Sequence, residues 1–143
     1  MSSSEQPLSS PAESGALPDW AQAEAGTLME TLRMEVLERG AQRTVVRMPV
    51  AGALQVIGIL HGGATAAVIE TAASVAAREA APEGTVPVGA ELTVSHLRPV
   101  RMGEVTATAV PVHLGRRSAL YTVDVVDSQG RLSATGRLRS LFV

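Results

Sequence analysis

The chain has 143 residues, 45% of them hydrophobic and only 2% aromatic, and a formal net charge of −2 at pH 7. That length predicts one domain with a core of Val, Leu and Ala, and the slight negative charge argues against an obligate nucleic-acid binder. There is no cysteine, so neither a disulfide framework nor a thiolate zinc site can form, and His61, His96 and His113 lack metal-ligand spacing.

No apolar run reaches the length of a membrane span, and no basic-then-apolar leader is present, so a cytoplasmic protein without membrane or nucleic-acid partners is expected. Residues 1–18 are Ser, Pro, Glu and Gly with few large apolar groups, and read as a disordered tail before a domain over 19–143. Asp19 is a candidate N-cap for a short helix over 19–31 in which Trp20 is the main apolar anchor. Residues 32–38 alternate, with Leu32, Met34 and Val36 on one face, and 44–50 repeat the strand signal after a turn at Gly40. Together they predict a hairpin.

The stretch 55–78 organises the rest. It starts apolar, passes through His61-Gly62-Gly63, and becomes an Ala-rich segment over 64–78 without Gly or Pro, which predicts a helix. The glycine pair is expected to permit positive φ and close approach to the main chain. Amides of a first helical turn have no intrahelical partner, so this start is suited to a polarised carbonyl or an oxyanion. Glu70 stands among Ala66, Ala67, Val68, Ile69, Ala72 and Ala73, and a carboxylate in apolar surroundings is costly unless paired, hydrogen-bonded or open to a pocket. Ser74, four residues on, shares its face. Two readings stay open: Glu70 on a narrow solvent strip or paired with an arginine, and Glu70 as general base or nucleophile.

Ala81-Pro82-Glu83-Gly84 ends the helix. Strands are then expected over 86–97, 104–114, 119–126 and 132–142, separated by turns at Met102-Gly103, Gly115-Arg116-Arg117 and Asp127-Ser128-Gln129-Gly130. A hairpin, one buried helix and a meander of long strands make an α+β pattern.

GxSxG, GxxxxGK[ST] and GxGxxG are all absent from the sequence. What remains is an acid, a glycine-rich helix start and the Gln55 amide, a set suited to acyl transfer to water. Glu70 lies eight residues beyond Gly62, roughly 12 Å along one helix. One carbonyl cannot contact both, so if both serve one substrate the acid comes from a second copy of the chain. His61, just before the helix, is read as ordering the turn more readily than moving a proton, and His96 and His113 as ordinary strand residues. Arg98, Arg101, Arg116 and Arg117 flank two turns, either as a solvated face or as a phosphate clamp.

Gln55, then Gly58-Ile59-Leu60-His61-Gly62-Gly63-Ala64, Glu70 and Ser74, resembles the signature of the hot-dog-fold acyl-CoA thioesterases. The likeness includes Ser95-His96-Leu97-Arg98-Pro99-Val100 and His113-Leu114-Gly115-Arg116-Arg117, and covers about 27–143. It is nearest to the Arthrobacter-type 4-hydroxybenzoyl-CoA thioesterases and the 1,4-dihydroxy-2-naphthoyl-CoA hydrolases. The phenylacetate-pathway thioesterases share the HGG helix but usually carry Asp at the position of Glu70.

The resemblance implies an antiparallel sheet wrapped around one central helix, with sites at a dimer interface and dimers often paired into homotetramers. It implies an acyl-CoA substrate, CoA being part of that substrate and no separate cofactor being needed. Gln55 and the Gly62 amide would hold the carbonyl, and Glu70 and Ser74 would come from the partner. His61 corresponds to the family's motif histidine. A CoA role is expected for at least one of Arg116 and Arg117, and the Glu-bearing motif favours an aromatic acyl group. The alternatives are a hot-dog dehydratase or hydratase and a non-enzymatic acyl-CoA-binding module.

Overall fold

The computed structural model describes residues 23–143, so the tail and the start of the expected 19–31 helix, Asp19 and Trp20 included, lie outside the described residues, and of that helix only the short α1 (Leu28–Thr31) is formed as a named element. Within them the order is α1 (Leu28–Thr31), β1 (Glu35–Glu38), β2 (Thr44–Pro49), α2 (Gly62–Ala80), β3 (Pro87–His96), β4 (Glu104–Leu114), β5 (Ser118–Val126) and β6 (Leu132–Phe142). All neighbouring strands are antiparallel, in the order β1-β2-β4-β5-β6-β3. The sheet curls around α2, which contacts β2, β3, β4, β5 and β6.

Small side chains make that wrap tight. Along β5, Ala119, Tyr121, Val123 and Val125 face inward while Asp124 faces out, the alternation expected of a half-buried strand. On α2, Val68, Ile69, Ala72, Ala73, Ala76 and Ala77 are buried against this face. Gly136 of β6 marks the closest approach, since a Cβ there would lie 2.6 Å from the Thr93 carbonyl oxygen and 3.0 Å from Ile69 Cγ2. Any larger residue at 136 has to push helix and strand apart, a strain that typically costs about 1–3 kcal/mol.

Tyr121 ties the layers together with its hydroxyl. It donates toward the carbonyls of Ala41 at 2.6 Å, in the β1–β2 connection, and Ala76 at 3.2 Å, in α2. Burial pushes its phenol up to about 12.

Several sequence expectations change. The first strand begins at Glu35 and not at residue 32, because α1 ends in a Schellman motif: Arg33 N–H donates to Glu30 O and Met34 N–H to Met29 O. Arg33 takes the left-handed position at φ 55°, so extended backbone cannot start before it. Leu32, Met34 and Val36 still pack against the core. The central helix is longer than expected, with Gly62 and Gly63 inside its first turn, and the positive φ falls on Gly58 instead.

The meander covers only β4, β5 and β6. β3 lies at the far edge, paired with β6 from Pro87↔Phe142 to His96↔Ala134. The cause lies in residues 97–103, where Leu97 and Arg98 both donate to the Ser133 carbonyl, Leu60 donates to that of Val100, and Val50 to that of Gly103. The connection is thereby held across the start of α2 and cannot close as a hairpin.

Candidate active site

The loop before α2 is built by its own backbone. Gln55 N–H donates to Ile59 O at 2.8 Å, Gly58 N–H to Gln55 O at 2.9 Å, and His61 N–H to Ala53 O at 2.8 Å. The Gln55 side-chain oxygen accepts from Ile57 N–H at 2.7 Å. That bond fixes the orientation of the amide and leaves its NH₂ as the end available to a ligand.

His61 is the N-cap of α2, and its Nδ1 accepts from Gly63 N–H at 2.8 Å. Its carbonyl accepts from Ala64 and Thr65. Three of the first four amides of the helix are thus satisfied locally. The Gly62 N–H has no partner among the described residues, at the helix end where the dipole favours negative charge.

Gly62 and Gln55 line one cavity of about 430 Å³ with Thr65, His96, Arg98 and Ser133. The His96 ring lies directly against Gly62: a Cβ there would meet His96 Nε2 at 3.2 Å. His96 was expected to be an ordinary strand residue. The β3–β6 register, which pairs His96 with Ala134, carries it to the helix start. No local pattern contains that signal, because 34 residues separate Gly62 from His96.

Glu70 and Ser74 open elsewhere. They line a second cavity of about 310 Å³ with Ala67, Thr71, Leu28 and Arg78. Glu70 is exposed, and its carboxylate reaches toward Gly89 of β3, where a Cβ would lie 2.9 Å from Oε1. The β3–β6 pairing shifts register between Gly89 and Glu91, so the acid stands over a bulge.

The fold therefore brings Gln55, Gly62, His96 and Arg98 together in one cavity and Glu70 and Ser74 together in another. Arg101 is exposed on the same connection as Arg98 but lines neither cavity. Arg116 and Arg117 are exposed in the β4–β5 turn, whose backbone is pinned by Gly115 N–H to Ser118 O and Phe142 N–H to Arg117 O. That turn is at the Pro87 end of the sheet and Arg98 at the His96 end, so within one chain the two arginine pairs are at opposite ends. His113, exposed on β4, is in neither cavity.

Among the described residues no cluster of His, Cys, Asp or Glu is arranged to hold a metal ion, and no helix is long and apolar enough to cross a membrane. An unpartnered amide, a side-chain amide and a separate carboxylate are the parts for polarising a carbonyl and delivering water to it.

Comparison with known proteins agrees with that chemistry. The family model described as "Thioesterase superfamily" matches residues 57–134. The proofreading thioesterase EntH of Cronobacter turicensis is 40% identical over 114 residues, covering 79% of this chain and 83% of that protein. Among solved structures, thioesterase HI1161 of Haemophilus influenzae superposes with a TM-score of 0.81 at 33% identity, over 85% of this chain and 86% of that one. A mutant of thioesterase PA1618 from Pseudomonas aeruginosa gives a TM-score of 0.82 at 28% identity, over 90% of this chain and 96% of that one. With its sheet wrapped around a single long helix, the chain belongs to the thioesterase superfamily, the hot-dog-fold hydrolases of thioesters.

Proposed function

We propose that the protein hydrolyses acyl-CoA thioesters to the free acid and CoA, at sites shared between two copies of the chain. The observation that carries this reading is the unpartnered Gly62 N–H in one cavity and the Glu70 carboxylate in another. In a dimer the donor cavity of one copy faces the acid cavity of its partner. The thioester carbonyl accepts from Gly62 N–H and the Gln55 NH₂, which stabilise the developing oxyanion. Glu70 acts from the other side, either as general base toward water or as the attacking carboxylate, with Ser74 beside it on the same face. In the first case the proton taken from water passes on to the leaving thiolate of CoA; in the second the thiolate leaves an acyl–Glu70 anhydride that water then hydrolyses, so both routes end in free acid and CoA with Glu70 restored. His61 sets the turn through its cap and does not need to move a proton.

Two features support the second copy. β3 is an edge strand of ten residues with one side unpaired, a ready template for another chain. The donor loop also carries Leu54, Val56 and Ile57 at 46%, 103% and 71% exposure, a clustered apolar tip of the kind that marks an interface. Dimers paired into homotetramers fit the same family pattern. Arg98 at the donor cavity, with Arg101 beside it, suits the phosphates of CoA; Arg116 and Arg117 would join from the opposite end of a neighbouring sheet. An aromatic acyl group is favoured, and cytoplasmic acyl-CoA is the fitting source.

Thiol release from a panel of acyl-CoAs tests the reading. Glu70→Gln keeps the shape and removes the base, so turnover should fall by about a hundredfold or more. Near wild-type turnover by a folded Glu70→Gln protein would falsify the assignment.

A further inference from the structure

Resting on the reading of Gly62 as the donor to the thioester carbonyl, we propose that the Thr65 hydroxyl is a third donor to the same oxygen, beside the Gly62 N–H and the Gln55 NH₂. Thr65 is on α2 three residues after Gly62 and lines the same cavity. Only 5% of it is exposed. A threonine within a helix commonly returns its hydroxyl to the carbonyl three or four residues back. Thr65 does not: the His61 carbonyl accepts from the Ala64 and Thr65 amides, and the Thr65 hydroxyl has no hydrogen bond among the described residues. Buried hydroxyls elsewhere in the fold are committed, Thr44 to the Gly40 carbonyl and Ser133 to that of Val125. The Thr65 oxygen opens to the cavity and is not sealed in the core. Its missing partner is therefore expected from whatever enters the cavity.

Helix geometry carries the hydroxyl to the right level. Three residues rise only about 4.5 Å, and side chains lean back toward the helix start. The Thr65 hydroxyl thus lies beside the turn that Gly62 opens, whereas Glu70 of the same chain is roughly 12 Å along the axis. The other polar groups of the cavity are differently disposed. His96 and Arg98 are exposed. Ser133 has given its hydrogen to the Val125 carbonyl and keeps only lone pairs for a ligand. Thr65 is the buried hydroxyl behind Gly62 that still has a hydrogen to give. Because a hydroxyl rotates, it can follow the oxygen as the carbonyl carbon becomes tetrahedral. It keeps its proton and forms no covalent bond. The hydrogen bond strengthens as the neutral carbonyl becomes an oxyanion, so it favours the transition state over the bound thioester.

Thr65→Val removes the donor with little change of shape, and Thr65→Ser keeps it. With benzoyl-CoA, Thr65→Val should lower kcat by about ten- to a hundredfold, while Thr65→Ser keeps most of it. Since the hydroxyl has no partner in the fold, Thr65→Val should melt no lower than wild type. An unchanged kcat overturns the inference, as does a Thr65→Val protein that melts well below wild type, which would give the hydroxyl a structural partner. A binding measurement separates contact with the carbonyl from contact with the rest of the substrate. S-Benzyl-CoA is the thioether in which CH₂ replaces the carbonyl of benzoyl-CoA. In calorimetric titration, Glu70→Gln should bind benzoyl-CoA about threefold or more tighter than Glu70→Gln/Thr65→Val does, the range of one net hydrogen bond. Both proteins should bind S-benzyl-CoA alike. A loss that appears on S-benzyl-CoA as well, or on neither ligand, overturns the inference. If wild type releases no thiol from benzoyl-CoA or hexanoyl-CoA, the hydrolase reading fails, and the titration still decides whether Thr65 meets a carbonyl.

Discussion

Gly89 of β3 leaves the space that the Glu70 carboxylate of α2 occupies: a methyl group on Gly89 would lie 2.9 Å from Glu70 Oε1 and 3.4 Å from Leu138 Cδ1. The first distance is shorter than Cβ contacts allow, but the atom it meets is the free end of a flexible side chain. Gly89→Ala should therefore displace the acid without unfolding the sheet. Gly89 is not among the positive-φ glycines, so alanine there adds no backbone strain and is slightly better in a strand. We expect an unchanged melting temperature and a kcat lowered by about tenfold or more, since a misplacement on the order of 1 Å can cost a hundredfold. Wild-type kcat in Gly89→Ala would show that the position of this carboxylate does not matter.

The separation of the two cavities can be tested by complementation. Glu70→Ala removes the acid. Gly62→Pro removes the donor N–H at the first helical position, where proline is tolerated. His61 already has φ −62° and ψ 131°, the backbone that a residue before proline prefers. A Cβ at this position meets the His96 ring at 3.2 Å, so that ring has to yield by a few tenths of an ångström. Each protein alone should be inactive, and mixed dimers should regain activity at their one intact site. Verified subunit exchange with no return of activity would rule out the shared site.

Arg116 and Arg117 stand exposed on a turn whose backbone is held without their side chains. Their joint replacement by Ala should raise KM for acyl-CoA severalfold and leave kcat unchanged, as for an interaction equal in ground and transition states. Added salt should shrink the effect. An acyl-pantetheine without the nucleotide should be hydrolysed equally by both proteins. An equal loss on the truncated substrate would make these arginines structural.

Tyr121 predicts a pH limit. Its folded-state value of about 12 exceeds its ordinary value of 10.0, so between these values the unfolded chain has already lost a proton that the folded chain keeps. Stability should be at its full value below pH 10 and fall as pH rises toward 12. Tyr121→Phe should cost about 1–2 kcal/mol near neutrality through its lost hydrogen bonds and flatten the alkaline decline. A decline as steep in Tyr121→Phe as in wild type would assign it to another group.

The sequence by itself determined whatever depends on neighbours a few residues apart. Helix period put Glu70 and Ser74 on one face, Ala-rich composition called for the helix over 64–78, and turn signals marked off the strands on either side of Gly115 and Gly130. A free donor at this helix start was legible as well, because first-turn amides lack intrahelical partners; its assignment to Gly62 came from the family resemblance. Only the tertiary structure decided which distant segments meet. The strand at 87–96 leaves the meander for the far edge because its exit is held across the helix start. That crossover brings His96 onto Gly62 and Gly89 under Glu70. Such contacts depend on strand order and register, which no short-range pattern contains.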